Sequence, residues 1–321
     1  MTRWLSLGLL ISAAAAQPPP ATEEEAAQLR ARAAAAPKLP LTLTELHVAA
    51  PASGWALDFS SSVAVGKGST IYLLQRGEKA DPVIAVDSKT GKVLRSWGKG
   101  MFEIPHSIRL DAKGNVWTVD AASSVVYQFT PEGKKLREIR VGGQPADHRS
   151  AFKGTADIAF APDGRIFIAD GYANARILEY SADGKRVREW GKHGVGPGEF
   201  YLPHGLTIDA KGTLYVADRE NGRIQKFDLR GKYLGEWNGY GKTFCITWRP
   251  SESADGAIWI GTQPRNLPNG APGWLMKLDP RTGALLGAVE SPGHHSIDVT
   301  LAGELFTGVR PDKVLYFRRG R

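Results

Sequence analysis

A repeat of about 48 residues runs through most of this chain and limits the folds that it can adopt. Each copy has a turn around a glycine, an alternating strand, a short connection and a second alternating strand. The clearest copies are residues 110–129, 160–180 and 208–227, and looser copies occupy residues 66–87, 255–279 and 302–317. Short strands with regularly spaced turn signals are typical of an all-β protein.

Six copies of four antiparallel strands predict a six-bladed β-propeller, formed by residues 41–321. The last copy ends after its third strand, near Phe317, whereas residues 41–48 form a strand candidate ahead of the first copy. We expect this N-terminal strand to complete the last blade and close the ring. An open solenoid is the alternative, but no capping repeat is visible in the sequence.

Residues 1–16 have the pattern of a secretory signal peptide, with Arg3, an apolar stretch from Leu5 and small residues before the cleavage point. We therefore expect export to the periplasm or the extracellular space. A membrane anchor or a lipoprotein signal is the alternative, but the stretch is short and no lipobox cysteine follows it. Residues 17–40 form a Pro- and Ala-rich arm with a short helix candidate, which we expect to be loosely attached.

The composition argues against several classes of function. The formal net charge is +8, but the basic residues are spread over turns and form no stripe interleaved with aromatic residues, which argues against nucleic-acid binding. The single cysteine, Cys245, cannot form an internal disulfide, and its apolar neighbours predict a buried position. No internal apolar run is long enough to span a membrane. We expect the protein to be a monomer.

Three of the seven histidines share one position in the repeat. His106, His204 and His295 each lie eight residues before a turn glycine, in alternate copies, where the innermost strands begin. Closure of six blades into a ring would bring these imidazoles together on one axis. Neutral imidazoles suit Zn²⁺, and three ligands leave an open position for water or substrate. His294 competes with His295, but the register favours His295.

Two arginines and a tyrosine follow the ends of the second strands: Arg76, Tyr172 and Arg219. We expect these connections at the same end of the ring as the histidines. The planar fork of arginine matches a carboxylate, and positive charge lowers the pKa of a tyrosine toward use as a base. Such a group around a metal suits an anionic substrate with a carbonyl group. For Arg219, an ion pair with Asp218 or Glu220 that braces the turn is the alternative.

The strings VADRENGRIQ (216–225) and DGYANARI (170–177), together with the Pro-His strand starts, resemble the peptidyl-α-hydroxyglycine α-amidating lyases. That family consists of NHL-repeat β-propellers, and the resemblance covers residues 50–318. It implies a zinc-dependent carbon–nitrogen lyase of the peptidylamidoglycolate lyase type. Such an enzyme splits a peptidyl-α-hydroxyglycine, or a similar α-hydroxy amide, into an amide and glyoxylate.

The resemblance also implies a role for each candidate residue. The positions that match the zinc ligands of the family are His106, His204 and His295. Tyr172 matches the proposed general base, Arg76 matches a catalytic arginine of the first blade, and Arg219 matches the arginine of the DREN motif. The family also binds a structural Ca²⁺, partly through an Asp directly after the third histidine. Ser296 stands at that position here, which leaves Ca²⁺ open.

Other functions remain open at this stage. No copper monooxygenase domain is recognisable in the sequence, so the native substrate is left open and would be supplied from elsewhere. A non-enzymatic NHL-repeat propeller that binds a protein or a small molecule is the alternative. A propeller hydrolase of the lactonase type is disfavoured, because such sites collect carboxylate and amide groups around calcium, whereas this axis is rich in histidine.

Overall fold

The computed structural model describes residues 18–143, 150–251, 253–310 and 313–320. The predicted signal peptide lies outside these ranges and stays a prediction. Within them, no helix has the length and apolar character needed to cross a membrane.

The chain begins with one helix and one strand and then forms twenty-three further strands in the described ranges. The helix α1 spans Glu23–Ala35 and the strand β1 spans Leu41–His47. Blade 1 consists of β2 (Ser60–Val65), β3 (Thr70–Gln75), β4 (Val83–Asp87) and β5 (Val93–Trp97). Blade 2 consists of β6 (Pro105–Leu110), β7 (Val116–Asp120), β8 (Val125–Phe129) and β9 (Lys135–Arg140). Blade 3 consists of β10 (Asp157–Phe160), β11 (Ile166–Asp170), β12 (Arg176–Tyr180) and β13 (Arg186–Trp190).

The remaining strands form three more sheets. Blade 4 consists of β14 (Pro203–Ile208), β15 (Leu214–Asp218), β16 (Arg223–Phe227) and β17 (Tyr233–Asn238). Blade 5 consists of β18 (Lys242–Arg249), β19 (Ala257–Gln263), β20 (Gly273–Leu278) and β21 (Leu285–Ser291). Blade 6 contains β22 (Ser296–Val299), β23 (Leu305–Arg310) and β24 (Lys313–Arg319).

The sixth blade is completed by the N-terminal strand. Its order is β22, β23, β24 and then β1, which pairs antiparallel with β24 from Leu41 opposite Arg319 to His47 opposite Lys313. The other five sheets each contain four strands that are consecutive in the chain. The predicted all-β, six-bladed β-propeller closed by an N-terminal strand is therefore confirmed.

The apolar core lies between neighbouring blades. Trp97, at the end of β5, packs against the turn at Gly133 of the next blade, and Trp190 packs in the same way against Gly231. Both glycines have positive φ angles, of 93° and 84°, and a Cβ on either would press into the indole ring. The glycine in each polar turn therefore allows both the turn and the packing of the blades. Cys245 is buried, as its neighbours predicted.

Hydrogen bonds of polar side chains join the innermost strands around the axis. Asp157 on β10 accepts hydrogen bonds from the Leu206 N–H on β14, at 3.0 Å, and from the Arg109 guanidinium on β6, at 2.7 Å. The same arrangement recurs three blades further on. It consists of Asp298 on β22, Val65 N–H on β2 and Arg249 on β18.

Two hydroxyl groups make the remaining links. Ser62 on β2 accepts a hydrogen bond from the Ile108 N–H on β6, at 3.1 Å. Thr207 on β14 accepts one from the Trp248 N–H on β18, at 2.8 Å. Each inner strand is thus bonded to both of its neighbours, and the strand starts are held at fixed positions around the axis.

The N-terminal arm is packed against the propeller, so the expectation of a loose attachment was wrong. Ala26, Leu29 and Ala33 form one buried stripe of α1, and Leu29 is only 1% exposed. The Arg265 guanidinium on the propeller bonds the Glu25 carboxylate of α1 at 3.0 Å. The composition of this segment was misleading, because three apolar side chains on one face of the helix are enough to pack it when the opposing surface is complementary.

Truncation at two positions tests the closure of the ring. A chain that begins at residue 48 lacks β1, and we expect its melting temperature to be lower by roughly 5–15 °C than that of a chain beginning at residue 40, because seven cross-strand pairs are lost. The chain that begins at residue 40 also lacks α1 and therefore controls for loss of the arm. Equal melting temperatures would show that β1 does not hold the ring closed.

Candidate metal centre

The three predicted histidines lie where the inner strands depart from regular pairing. The pairing of β6 with β7 shifts register around His106, and the pairing of β14 with β15 does so around His204. His295 directly precedes β22. A residue at such a bulge has no partner in the ladder, and its side chain is turned away from the regular direction. The irregularity therefore directs the imidazoles toward the axis.

Each imidazole donates its Nδ1–H to a main-chain carbonyl of the following blade. The bonds are His106 to Ala156 (2.6 Å), His204 to Phe244 (2.6 Å) and His295 to Ser61 (2.7 Å). A carbonyl can only accept, so the proton of each neutral ring is on Nδ1. The lone pair is consequently on Nε2. Hydrogen bonds of this kind fix the tautomer and the orientation of metal-binding histidines.

The three imidazoles converge on one point. Their ligand atoms all lie within 4.8 Å of one another, and the ring centroids are 4.8, 4.9 and 5.1 Å apart. Zn–N bonds of about 2.0–2.1 Å need only a small inward shift from this arrangement. Across the ranges that the structure describes, this is the one group of three or more His, Cys, Asp or Glu side chains placed to hold a single ion.

All three imidazoles are neutral at neutral pH. Burial, together with the nearby Arg76 charge, lowers the pKa of His295 to about 3. Burial likewise holds the pKa values of His106 and His204 well below their ordinary range, and both rings are only 2% exposed. The ring nitrogens thus present lone pairs, which is the form that binds a metal.

Tyr172 reaches the same point from blade 3. Its hydroxyl lies 2.7 Å from His106 Nε2 and 3.1 Å from His204 Nε2, and donates to the former because Nδ1 holds the imidazole proton. The preceding Gly171 has no room for a side chain, since a Cβ would collide with the Pro203 carbonyl. Burial raises the pKa of Tyr172, while the charges of Arg219 and Arg76 oppose that shift.

Arg76 presents an unsatisfied charge to the site. Its Nε donates to the Pro105 carbonyl at 2.9 Å, and the guanidinium carbon lies 5.1 Å from the Phe59 ring centroid and 5.3 Å from that of Phe152. The Nη2 atom is buried without a hydrogen-bond partner. Burial also lowers the pKa of Arg76. A buried N–H group of a cation without a partner is costly, so this atom is suited to bind an anion.

Arg219 makes the turn-bracing ion pair that the sequence left open as an alternative, and it also lies beside the site. It forms an ion pair with Glu220 at 2.8 Å, whereas Asp218 pairs with Arg223 instead. Its guanidinium also lies over the Phe244 ring, 5.0 Å from the centroid, and close enough to Tyr172 to lower the pKa of that hydroxyl. Of the two site arginines, Arg219 therefore has a carboxylate partner and Arg76 does not. The structure brings all six predicted residues together.

The chain is similar to known proteins in sequence and in fold. A family model described as "DUF5128: 6-bladed beta-propeller" matches residues 147–239. Peptidyl-alpha-hydroxyglycine alpha-amidating lyase 1 of Drosophila melanogaster is 39% identical over 157 residues, which make up 45% of this chain and 29% of that protein. The peptidylglycine alpha-amidating monooxygenase of Rattus norvegicus is 37% identical over 155 residues, or 46% of this chain and 16% of that protein.

Over the matched segments, this chain is similar to an amidating lyase and to an amidating monooxygenase. The resemblance predicted from the DREN and DGY strings is thereby confirmed. The matched segments are less than a third of either relative, so the activity of the whole relatives does not transfer by similarity alone. A solved gluconolactonase structure from Xanthomonas campestris aligns with a TM-score of 0.60 and 17% identity, over 95% of this chain and 96% of that one. That likeness shows the fold alone.

The side chains that could reach the Ca²⁺ raised by the lyase resemblance have other partners. The Ser296 hydroxyl, directly after the third histidine, lies 2.9 Å from the Ser62 hydroxyl. Asp157 and Asp298, further along the inner strands, are each bonded to an arginine. In the described ranges no cluster of carboxylates meets here, and Ca²⁺ needs six to eight oxygen ligands. The arginine–aspartate pairs join the inner strands instead.

The histidines outside the triad have other surroundings. His294 is buried with both ring nitrogens unpaired, and its side chain is not part of the convergent group. His47 and His193 are exposed, and His148 lies outside the described residues.

Sequence reasoning missed two kinds of supporting residue. Asp120 and Asp218 end the second strands of their blades, and their carboxylates accept main-chain N–H groups just ahead of the histidines, from Ile104 at 3.0 Å and Tyr201 at 2.6 Å. Their position at the end of each second strand was the signal that could have revealed this role. Phe152 had no such signal, because it lies in a non-repetitive connection.

Acid should destabilise the metal-free protein through the histidines. Since their folded-state pKa values lie below the ordinary value of about 6.5, the unfolded chain takes up more protons as the pH falls below that value. The associated stability is present above about pH 6.5 and is lost toward pH 3. In chelator-treated protein, we expect the free energy of unfolding in urea to fall between pH 7.5 and 5, by up to about 1.4 kcal/mol per pH unit for each histidine.

Replacing His106, His204 and His295 together with glutamine should flatten this dependence, whereas His193→Gln should leave it unchanged. Equal slopes in the wild type and the triple variant would contradict the depressed pKa values.

Proposed function

We propose that this chain is a zinc-dependent lyase that cleaves the C–N bond of a peptidyl-α-hydroxyglycine, or a similar α-hydroxy amide, to give an amide and glyoxylate. The observation that carries the proposal is the meeting of Tyr172 and Arg76 with three neutral imidazoles whose Nε2 atoms face one point. The name of the Drosophila relative, an amidating lyase 39% identical over the matched segment, supports it.

The donor set suits zinc. Three nitrogen ligands with an open position are typical of catalytic zinc sites, and the hydrogen-bonded Nδ1 atoms are the supporting contacts that such sites use. When bound by His106, His204 and His295, Zn²⁺ would act as a Lewis acid on the substrate hydroxyl.

Arg76 would bind the substrate carboxylate. Its Nη2 is buried without a partner, and its guanidinium is fixed by the Pro105 carbonyl and by two phenylalanine rings. A carboxylate at this atom would satisfy the buried N–H group and compensate the charge. Arg219, which Glu220 already neutralises in part, is placed to act on the Tyr172 hydroxyl rather than on a second anion.

Tyr172 would transfer the proton. The reaction converts R–CO–NH–CH(OH)–COO⁻ into R–CO–NH₂ and OHC–COO⁻, so the hydroxyl loses its proton, the C–O bond becomes double and the C–N bond breaks. The bonding electron pair leaves with the amide nitrogen, which takes up a proton. Tyr172 can accept the first proton as the tyrosinate and return it to nitrogen; burial raises its pKa, and the charges of Arg76 and Arg219 offset part of that rise. Neither water nor a redox partner is consumed.

A non-enzymatic propeller that binds a protein or small molecule is the second candidate. It predicts that changes at Tyr172 and Arg76 are silent in every chemical assay. The buried, unpaired Nη2 of Arg76 next to a tyrosine hydroxyl favours the lyase, because a surface used only for docking does not need such a group.

Elemental analysis tests the metal. We expect purified, tag-free protein to hold one zinc ion per chain, and His106→Ala, His204→Ala or His295→Ala to lose it, since two imidazoles bind zinc much more weakly than three. His193→Ala, which removes an exposed histidine, should keep a full complement. Zinc that persists after loss of any one triad residue would place the ion elsewhere.

Turnover tests the chemistry. With α-hydroxyhippurate as substrate, we expect glyoxylate and benzamide in equal amounts, and Tyr172→Phe should lower kcat by about 10²–10⁴-fold because only the proton-transferring oxygen is lost. Arg76→Gln should raise KM by about 10–100-fold through loss of a charge-assisted contact. Tyr316→Phe, on the outer part of blade 6, is the matched control. Zinc-loaded protein that yields no glyoxylate would refute the lyase and leave the metal site.

A further inference from the structure

The aromatic side chain of Phe152 contacts three groups of the site but takes no part in the proposed reaction. The Phe152 ring lies 5.0 Å from the Tyr172 ring and 6.4 Å from the His106 imidazole, measured between centroids. The Arg76 guanidinium carbon lies 5.3 Å from the Phe152 centroid. Yet Phe152 is only partly buried, so part of its ring faces solvent beside a polar site.

The backbone after Phe152 is held firmly. The N–H groups of Lys153 and Gly154 both donate to the Ala121 carbonyl, at 3.1 and 3.0 Å, and the Thr155 hydroxyl donates to the Asp120 carbonyl at 3.1 Å. Gly154 allows this close approach, because a Cβ there would collide with the Ser124 hydroxyl. The Gly154 carbonyl in turn accepts the Tyr172 N–H at 3.2 Å. Phe152 and Tyr172 are therefore attached to one hydrogen-bonded segment.

The site is open on the side of these two rings. His106 and His204 are buried, whereas His295, Tyr172 and Arg76 retain some exposure. A molecule whose carboxylate binds the Arg76 guanidinium therefore lies close to the Phe59 and Phe152 rings, whose centroids are 5.1 and 5.3 Å from the guanidinium carbon. Any group attached near its carboxylate must then lie against an aromatic surface.

We propose that Phe152 selects the acyl group of the substrate, by providing the flat apolar wall against which an aromatic or other apolar acyl group stacks. The proposal rests on the proposed lyase function for the identity of the ligand. In an N-acyl-α-hydroxyglycine, the carboxylate, the hydroxyl and the acylated nitrogen share one carbon atom. With the carboxylate at Arg76 and the hydroxyl at Tyr172, the acyl group lies beside the ring that contacts both residues, and this ring is Phe152.

Direct binding measures this preference without chemistry. Hippurate and N-acetylglycine lack the reacting hydroxyl and differ only in a benzoyl or an acetyl group. By calorimetry on zinc-loaded protein, we expect tighter binding of hippurate, and we expect Phe152→Leu to weaken hippurate by about tenfold while changing N-acetylglycine by less than about threefold. Phe160→Leu makes the same substitution at the far end of β10, against Trp117, and should change neither affinity.

Each other result overturns the proposal. If Phe152→Leu weakens the binding of both ligands equally, Phe152 only supports Arg76 and Tyr172. If it does not weaken hippurate binding, or if the wild type does not bind hippurate, the Phe152 wall is not used. Turnover separates this from the proposed function. If Phe152→Leu raises KM for α-hydroxyhippurate but not for N-acetyl-α-hydroxyglycine, both the acyl-binding role of Phe152 and the lyase function are supported. If hippurate binding depends on Phe152 but no glyoxylate forms, the lyase fails and the acyl-binding wall remains.

Discussion

The hydrogen bond from each imidazole Nδ1 to a main-chain carbonyl of the next blade is the contact on which this site depends. Blades 2, 4 and 6 supply the imidazole donors. Blades 1, 3 and 5 supply the acceptors, which are the carbonyls of Ser61, Ala156 and Phe244. Ser61, His106, His204 and Phe244 each lie at a register shift near the start of an inner strand, and Ala156 and His295 directly precede β10 and β22. One repeated irregularity thus produces a three-fold set of oriented, neutral ligands.

Such a site is only as well defined as the ring that carries it. The hydrogen bonds of Asp157 and Asp298 link the six inner strands into two equivalent groups of three, and the Ser62 and Thr207 hydroxyls join the two groups. At the circumference β1 closes the last blade, and α1 is packed on the outside. Because a displacement of one blade would move one imidazole or its carbonyl acceptor, convergence of the ligands depends on closure of the fold.

The repeat made much of this predictable. A common register located His106, His204 and His295, and the ends of the second strands located Tyr172 and Arg76, because a periodic fold converts sequence position into position around an axis. Features that depart from the repeat could not be predicted from the sequence. Phe152 lies in a connection without a counterpart in other blades, and the packing of α1 depends on a complementary surface that exists only after folding. The carbonyl acceptors carry no side-chain signal at all.

The most direct measurement of the central claim is X-ray absorption at the zinc edge of the metal-loaded protein. If alternate blades supply the ligands, the spectrum will show imidazole scattering from three nitrogens at about 2.0–2.1 Å with one further light atom. A spectrum with sulfur from Cys245, with carboxylate oxygens in place of nitrogen, or with fewer than three imidazoles would contradict the assignment of His106, His204 and His295 to one ion.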